Sequence, residues 1–87
     1  MAYRVEIDTK AAREIRALPR QNQQRLTSKI QSLADNPRPP GCVKLSGGSN
    51  LWRIRVGVYR IVYQIQDDRL LITVVRVGHR RDVYRGT

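Results

Sequence analysis

The stretch LWRIRVGVYRIVYQIQ, residues 51–66, decides how this chain folds. From Leu51 to Val56 it alternates: Trp52, Ile54 and Val56 fall on one side, Arg53 and Arg55 on the other. A period of two is the mark of a half-buried strand. Gly57 lets the chain turn, and VYRIVYQIQ begins a second strand, so the stretch predicts a hairpin. Asp67-Asp68-Arg69 makes a second turn. LLITVVRV, residues 70–77, is β-branched and apolar at both parities, which predicts a central strand covered on both faces for most of its length and ended by Gly78.

Upstream, YRVEID (3–8) alternates with Tyr3, Val5 and Ile7 against Arg4, Glu6 and Asp8, another half-buried strand. Asp8 or Thr9 can cap a helix whose apolar face is Ala11, Ala12, Ile15 and Leu18. Pro19 stops that helix and is placed to open the next, whose stripe is Leu26, Ile30 and Leu33. Residues 35–50 hold three of the four prolines and three of the six glycines and predict a loop. The order is strand, two helices, three strands. It predicts an α+β fold: an antiparallel β-sheet, including the N-terminal strand, with a two-helix hairpin packed on one face. Residues 1–87 are expected to form a single domain.

Composition narrows the partners. The formal net charge is +10, and fourteen of the seventeen basic residues are arginine. Arginine suits forked hydrogen bonding to phosphate and stacking on flat rings, so nucleic acid leads as partner, ahead of acidic protein or anionic membrane. The single cysteine, Cys42, excludes an internal disulfide and fits a reducing cytoplasm. With one Cys and one His no zinc site closes, so no metal and no cofactor is expected. MAYRVEIDTK lacks an apolar run of signal-peptide length, and no stretch reaches the ~20 apolar residues that span a bilayer.

The arginines collect on one expected surface. Arg53 and Arg55 project from the same face of a strand, Arg60 comes from the next, and Arg76, Arg80 and Arg81 from the last strand and its exit. After residue 50 only Asp67, Asp68 and Asp82 offer counter-charge. A solvated face with no ligand is one reading; a phosphate-binding face explains the crowding better. The basic residues of the helices (Arg13, Arg16, Arg20, Arg25, Lys29) read first as solvated faces. Trp52, Tyr59 and Tyr63 read as packing residues, while Tyr84 can stack on a base or pack on the sheet. His79 is the one side chain that ordinarily titrates near neutrality, with two roles open: acid–base catalysis or hydrogen bonding to phosphate.

LWRIRVGVYRIVYQI followed by VVRVGHRRDVY resembles the RelE family of bacterial and archaeal toxins, over nearly the whole chain. The resemblance implies a cytoplasmic toxin that cuts messenger RNA in the ribosomal A site, and an antitoxin protein that wraps and blocks it, making a toxin–antitoxin hetero-oligomer. The implied reaction is attack by the RNA's own 2′-hydroxyl, giving a 2′,3′-cyclic phosphate and a free 5′-hydroxyl, without metal. By motif, Arg53 and Arg55 stand where well-known members carry lysines, and Arg60 matches a transition-state clamp. Arg80 matches an arginine tied to the leaving group, and Tyr84 a tyrosine that orients a base. Arg76, Arg81 and Arg85 are expected to bind RNA. Arginine is a poor proton acceptor, which leaves His79 as the substitute base or leaves the rate to electrostatics and positioning. Two other readings compete: a ParE-like toxin of the same fold acting on DNA gyrase, and an RNA-binding module without catalysis.

Overall fold

The computed structural model describes residues 2–46 and 50–79. Its first strand, β1 (Arg4–Ile7), ends at Asp8, whose carboxylate accepts from the Lys10 backbone N–H at 3.1 Å and starts α1 (Thr9–Arg16). Pro19 is the N-cap of α2 (Arg20–Ser32), where its missing N–H costs nothing. Then come β2 (Val43–Lys44), β3 (Leu51–Val56), β4 (Tyr59–Gln66), a 3₁₀ turn over Asp67–Arg69, and β5 (Leu71–His79).

The five strands form one sheet in the order β1-β5-β4-β3-β2. Three pairings are antiparallel, but β1 runs parallel to β5, with Arg4 beside Leu71 and Ile7 beside Val74. The sheet is therefore mixed, not antiparallel throughout. Alternation along β1 looks the same in either direction, so only the path of the chain through both helices sets its sense. The stretch expected to be a loop, 35–50, also contains β2, two residues that pair with Trp52 and Arg53.

The helix-facing side of the sheet carries the core. Ile54, Ile61, Tyr63, Ile65, Ile72, Val74 and Val77 meet Ala11 and Ile15 of α1 and Leu26 and Ile30 of α2. Each such aliphatic side chain contributes about 1.5 to 3 kcal/mol on burial. Tyr63 is fully buried, and its hydroxyl donates to the Pro37 carbonyl at 2.8 Å. Burial pushes that hydroxyl far above the ordinary tyrosine range. The 35–46 segment is tied down further by Arg38, which grips Asp67 at 2.8 and 3.3 Å and lies 5.1 Å from the centre of the Trp52 ring.

β5 departs from expectation in an instructive way. It is central, between β1 and β4, and runs through Gly78 to His79. Yet it is not buried evenly on both sides. Ile72, Val74 and Val77 face the core, a spacing of two and then three. The extra residue is Val75, bulged where Val62 opposes Arg76 while Tyr63 opposes Val74. The apolar character at both parities is thus a change of phase along the strand.

Candidate RNA-binding and catalytic site

The arginines come together through two cross-strand rows. Arg53 stands opposite Val62, and Val62 opposite Arg76; Arg55 stands opposite Arg60, and Arg60 opposite Gly78. Residues directly opposite in adjacent strands share a face, with Cβ atoms about 4.5 to 5.5 Å apart. Arg53, Arg55 and Arg60 therefore share the face turned away from the helices, as the sequence predicted. Placing Arg55 opposite Arg60 is unfavourable for folding, because like charges repel across the ladder. Gly57, at φ +61°, makes the pairing attainable: it is the first residue of the two-residue turn between Val56 and Tyr59, where an L side chain would be strained.

This face is less open than the sequence suggested. Arg53 and Arg60 are each only 8% exposed, and Val62 is 2% exposed. The aliphatic stems of the arginines supply cover while their head groups carry charge. Arg55 remains exposed. Arg53 Nε and Nη1 are buried and have no hydrogen-bond partner among the described residues. Guanidinium nitrogens buried without a partner cost folding free energy. The described residues form three ion pairs, Arg4–Glu6, Arg38–Asp67 and Arg76–Glu14, and none involves Arg53 or Arg55.

Arg76 is placed differently from its expected role on the free patch. Its Nε donates to Glu14 Oε2 at 3.2 Å, and Glu14 Oε1 accepts from the Val77 backbone N–H at 2.8 Å. β1 accompanies β5 only as far as Val74, so Glu14 stands in for a strand where the ladder lapses. The counter-charge thus comes from α1, sixty-two positions earlier in the chain than Arg76. No spacing rule along the sequence links those two residues.

His79 also differs from expectation. It lies opposite Tyr59 at the outer end of the ladder, while its neighbour Gly78 lies opposite Arg60. Alternation places exposed His79 on the side of Tyr59 and Val77, one step around the strand from the arginine rows. Arg80, Arg81, Tyr84 and Arg85 lie outside the described residues. Trp52, Tyr59 and Tyr63 pack on or within the core as expected. Among the described residues no group of three His, Cys, Asp or Glu side chains is arranged to hold a metal ion.

Two cross-strand rows bring Arg53, Arg55 and Arg60 to one sheet face, and no ion pair of the described residues neutralises Arg53 or Arg55. Comparison with known proteins identifies the type of molecule. Residues 5–84 match the sequence model of the family described as the ParE toxin of the type II toxin–antitoxin system parDE. A RelE-like toxin protein of Escherichia coli is 38% identical over 97% of this chain and 92% of its own length. The mRNA interferase toxin RelE of Escherichia coli strain K12 is 32% identical over 92% of this chain and 85% of its own length. The structure of a variant of E. coli toxin RelE in the free state superposes with a TM-score of 0.81 at 30% identity, covering 98% of this chain and 93% of that one. RelE in the intact E. coli RelBE toxin–antitoxin complex superposes with a TM-score of 0.78 at 30% identity, covering 90% and 96%. The matching model takes its name from ParE, and the relatives at 30% identity or more, matched over most of each chain, take theirs from RelE. The chain belongs to the type II toxin–antitoxin toxins of the RelE/ParE superfamily and, within it, to the RelE family.

Proposed function

We propose that this protein is the toxin of a type II toxin–antitoxin pair and a metal-independent endoribonuclease that cuts messenger RNA in the ribosomal A site. The observation that carries the reading is the opposition of Arg55 and Arg60 beside buried, unpartnered Arg53. Three guanidinium groups on one face suit a scissile phosphate whose charge grows as the 2′-oxygen attacks. The 2′-hydroxyl loses its proton, its oxygen bonds to phosphorus, and the 5′-oxygen leaves and takes up a proton. The products are a 2′,3′-cyclic phosphate and a 5′-hydroxyl. Arg60 and Arg55 hold the non-bridging oxygens, and Arg53 draws the strand into the face. His79, the last residue of β5, is the proposed proton carrier. Arg80 is assigned to the leaving oxygen, Tyr84 to stacking on a base, and Arg81 and Arg85 to RNA phosphates.

The relatives' names and complexes support this reading: RelE of E. coli is named an mRNA interferase toxin, and RelE proteins have been solved bound to RelB antitoxins. We assign this chain an antitoxin partner and a cytoplasmic site of action on the same grounds. No helix among the described residues is long and apolar enough to cross a membrane. The test is to map 5′ ends of cellular RNA after brief expression. New ends inside translated codons, bearing 5′-hydroxyls, are expected. The ParE description of the matching family model favours one second reading, a toxin acting on DNA gyrase. Gyrase–DNA adducts with intact transcripts would decide for it.

A further inference from the structure

The arginine face does not stop at β3. Because β2 pairs only with Trp52 and Arg53, no strand among the described residues borders that edge of β3 from Ile54 onward. A cleft of about 340 Å³ opens there, lined by Arg53, Arg55 and Val43 and, from α2, by Lys29. Lys29 also lines a second cleft of about 520 Å³, which continues along α2 past Ser28, Arg25 and Gln24 with Val56 at its floor. The two open clefts have Lys29 in common, and together they make up a track from the arginine face to α2.

The chemistry of the track is uniform. Among the described residues no Asp or Glu lines either cleft. α2 itself carries Arg20, Arg25 and Lys29 and no acidic residue. The three ion pairs of the described residues leave Arg25, Lys29 and Arg55 out. Arg25 is drawn over the β3–β4 turn, its guanidinium 3.5 Å from where a Gly57 side chain would begin. It thus reaches toward the hairpin end that bears Arg55 and Arg60. At the other end, Arg53 keeps two buried nitrogens without a partner. Cations spaced along a channel of glutamine and serine hydrogen-bonding groups match a sugar–phosphate backbone with its hydroxyls. An acidic protein segment would also want apolar anchors; among the described lining residues Ile54 is buried and Val56 half-buried, which leaves Val43 and Pro40 as the exposed apolar ones.

We propose that this track binds the backbone of single-stranded RNA continuing from the strand held by Arg55 and Arg60. The proposal rests on the ribonuclease reading and adds a second phosphate-binding segment to it. The solvated helix face is thereby given a ligand.

The test uses the intact toxin and two single-stranded RNAs with a 2′-deoxy substitution at the cleavage position, which removes the attacking hydroxyl. One RNA spans only the arginine face; the other is several nucleotides longer. Binding is followed by fluorescence anisotropy across a salt series. Arg25→Gln and Lys29→Gln should each weaken the longer RNA several-fold and reduce the steepness of its salt dependence by about 0.7 per phosphate lost. The shorter RNA should bind them like wild type, and Arg13→Ala on α1 should affect neither. Equal effects on both lengths, or on neither, would overturn the track. Loss of antitoxin binding with RNA binding intact would also overturn it and give the face to a protein. Failure of the wild type to bind either RNA, free or in the ribosomal A site, would instead remove the ribonuclease reading. Retained binding that Arg55→Ala weakens for both lengths keeps that reading whatever becomes of the track.

Discussion

Arg60 is the residue on which the proposed chemistry depends most. It is 8% exposed and sits between Arg55 on one side and Gly78 on the other. Arg60→Ala is expected to keep the fold and lower the single-turnover cleavage rate by roughly 10² to 10³. Arg60→Lys should recover little, because an ammonium cannot make a two-pronged contact with phosphate. Full recovery would show that charge alone matters there. Glu14 acts at one remove. Its two oxygens hold Val77 and Arg76 and so fasten the far end of β5 to α1. Glu14→Ala leaves the Val77 N–H without its acceptor and should cost about 1 to 3 kcal/mol in a denaturant titration. Glu14→Gln keeps an acceptor for Val77 and should cost less. If the two variants are equally destabilised, the charge on Arg76, and not the strand-edge hydrogen bond, is what Glu14 serves.

The bulge at Val75 sets the geometry of β5. Before it Tyr63 opposes Val74; after it Val62 opposes Arg76, and Val77 returns to the core face. Removing the extra residue restores a regular ladder without moving any other side chain to the wrong face. Deletion of Val75 is therefore expected to leave a cooperatively folding protein by circular dichroism. Cleavage should be lost, because the added bend aims the segment carrying Gly78 and His79. A deletion variant that cleaves normally would show that the bend has no part in the site. The β3–β4 hairpin depends on its turn in a comparable way. Gly57 opens a two-residue connection that fixes Arg55 against Arg60, and any slip by one position would put the two arginines on opposite faces, sending one of them to the core side.

Across the whole molecule, the charge that serves binding opposes compaction, and a few well-placed carboxylates offset it. Asp67 joins three distant parts of the chain: it accepts from Tyr3 at 2.6 Å and from Arg38, which also lies over Trp52. The Arg38 hydrogen bonds and then the Tyr3 hydroxyl hold the Asp67 carboxyl below its ordinary value of 3.8. A carboxyl lowered on folding contributes stability that is fully present above the ordinary value and fades as pH falls through its folded value. Acid titration of the wild type should thus show a loss of stability beginning near pH 3.8 and continuing below it. Asp67→Asn should be less stable at neutral pH and should lack that part of the acid dependence. If both proteins lose stability in parallel across this range, the Asp67 cluster does not tie the segment down.

Much of this protein could be read from local patterns. The alternation in 51–56, the turn at Gly57, the cap at Asp8 and the break at Pro19 placed two helices and four of the five strands, because each depends on near neighbours in the chain. The shared face of Arg53, Arg55 and Arg60 was legible for the same reason, since pleating and a two-residue turn transmit side-chain direction without reference to the rest of the fold. What depended on distant partners was not legible. The parallel sense of β1 is set by where two helices return the chain, and β2 by its meeting with β3. The phase change at Val75 left Ile72, Val74 and Val77 on one face, although the string LITVVRV read alone shows apolar residues at both parities. Arg76 found Glu14, and His79 fell on the side of Tyr59, through contacts between residues far apart in sequence. Local sequence sets the direction of each side chain; only the packed sheet and helices decide which of those directions converge.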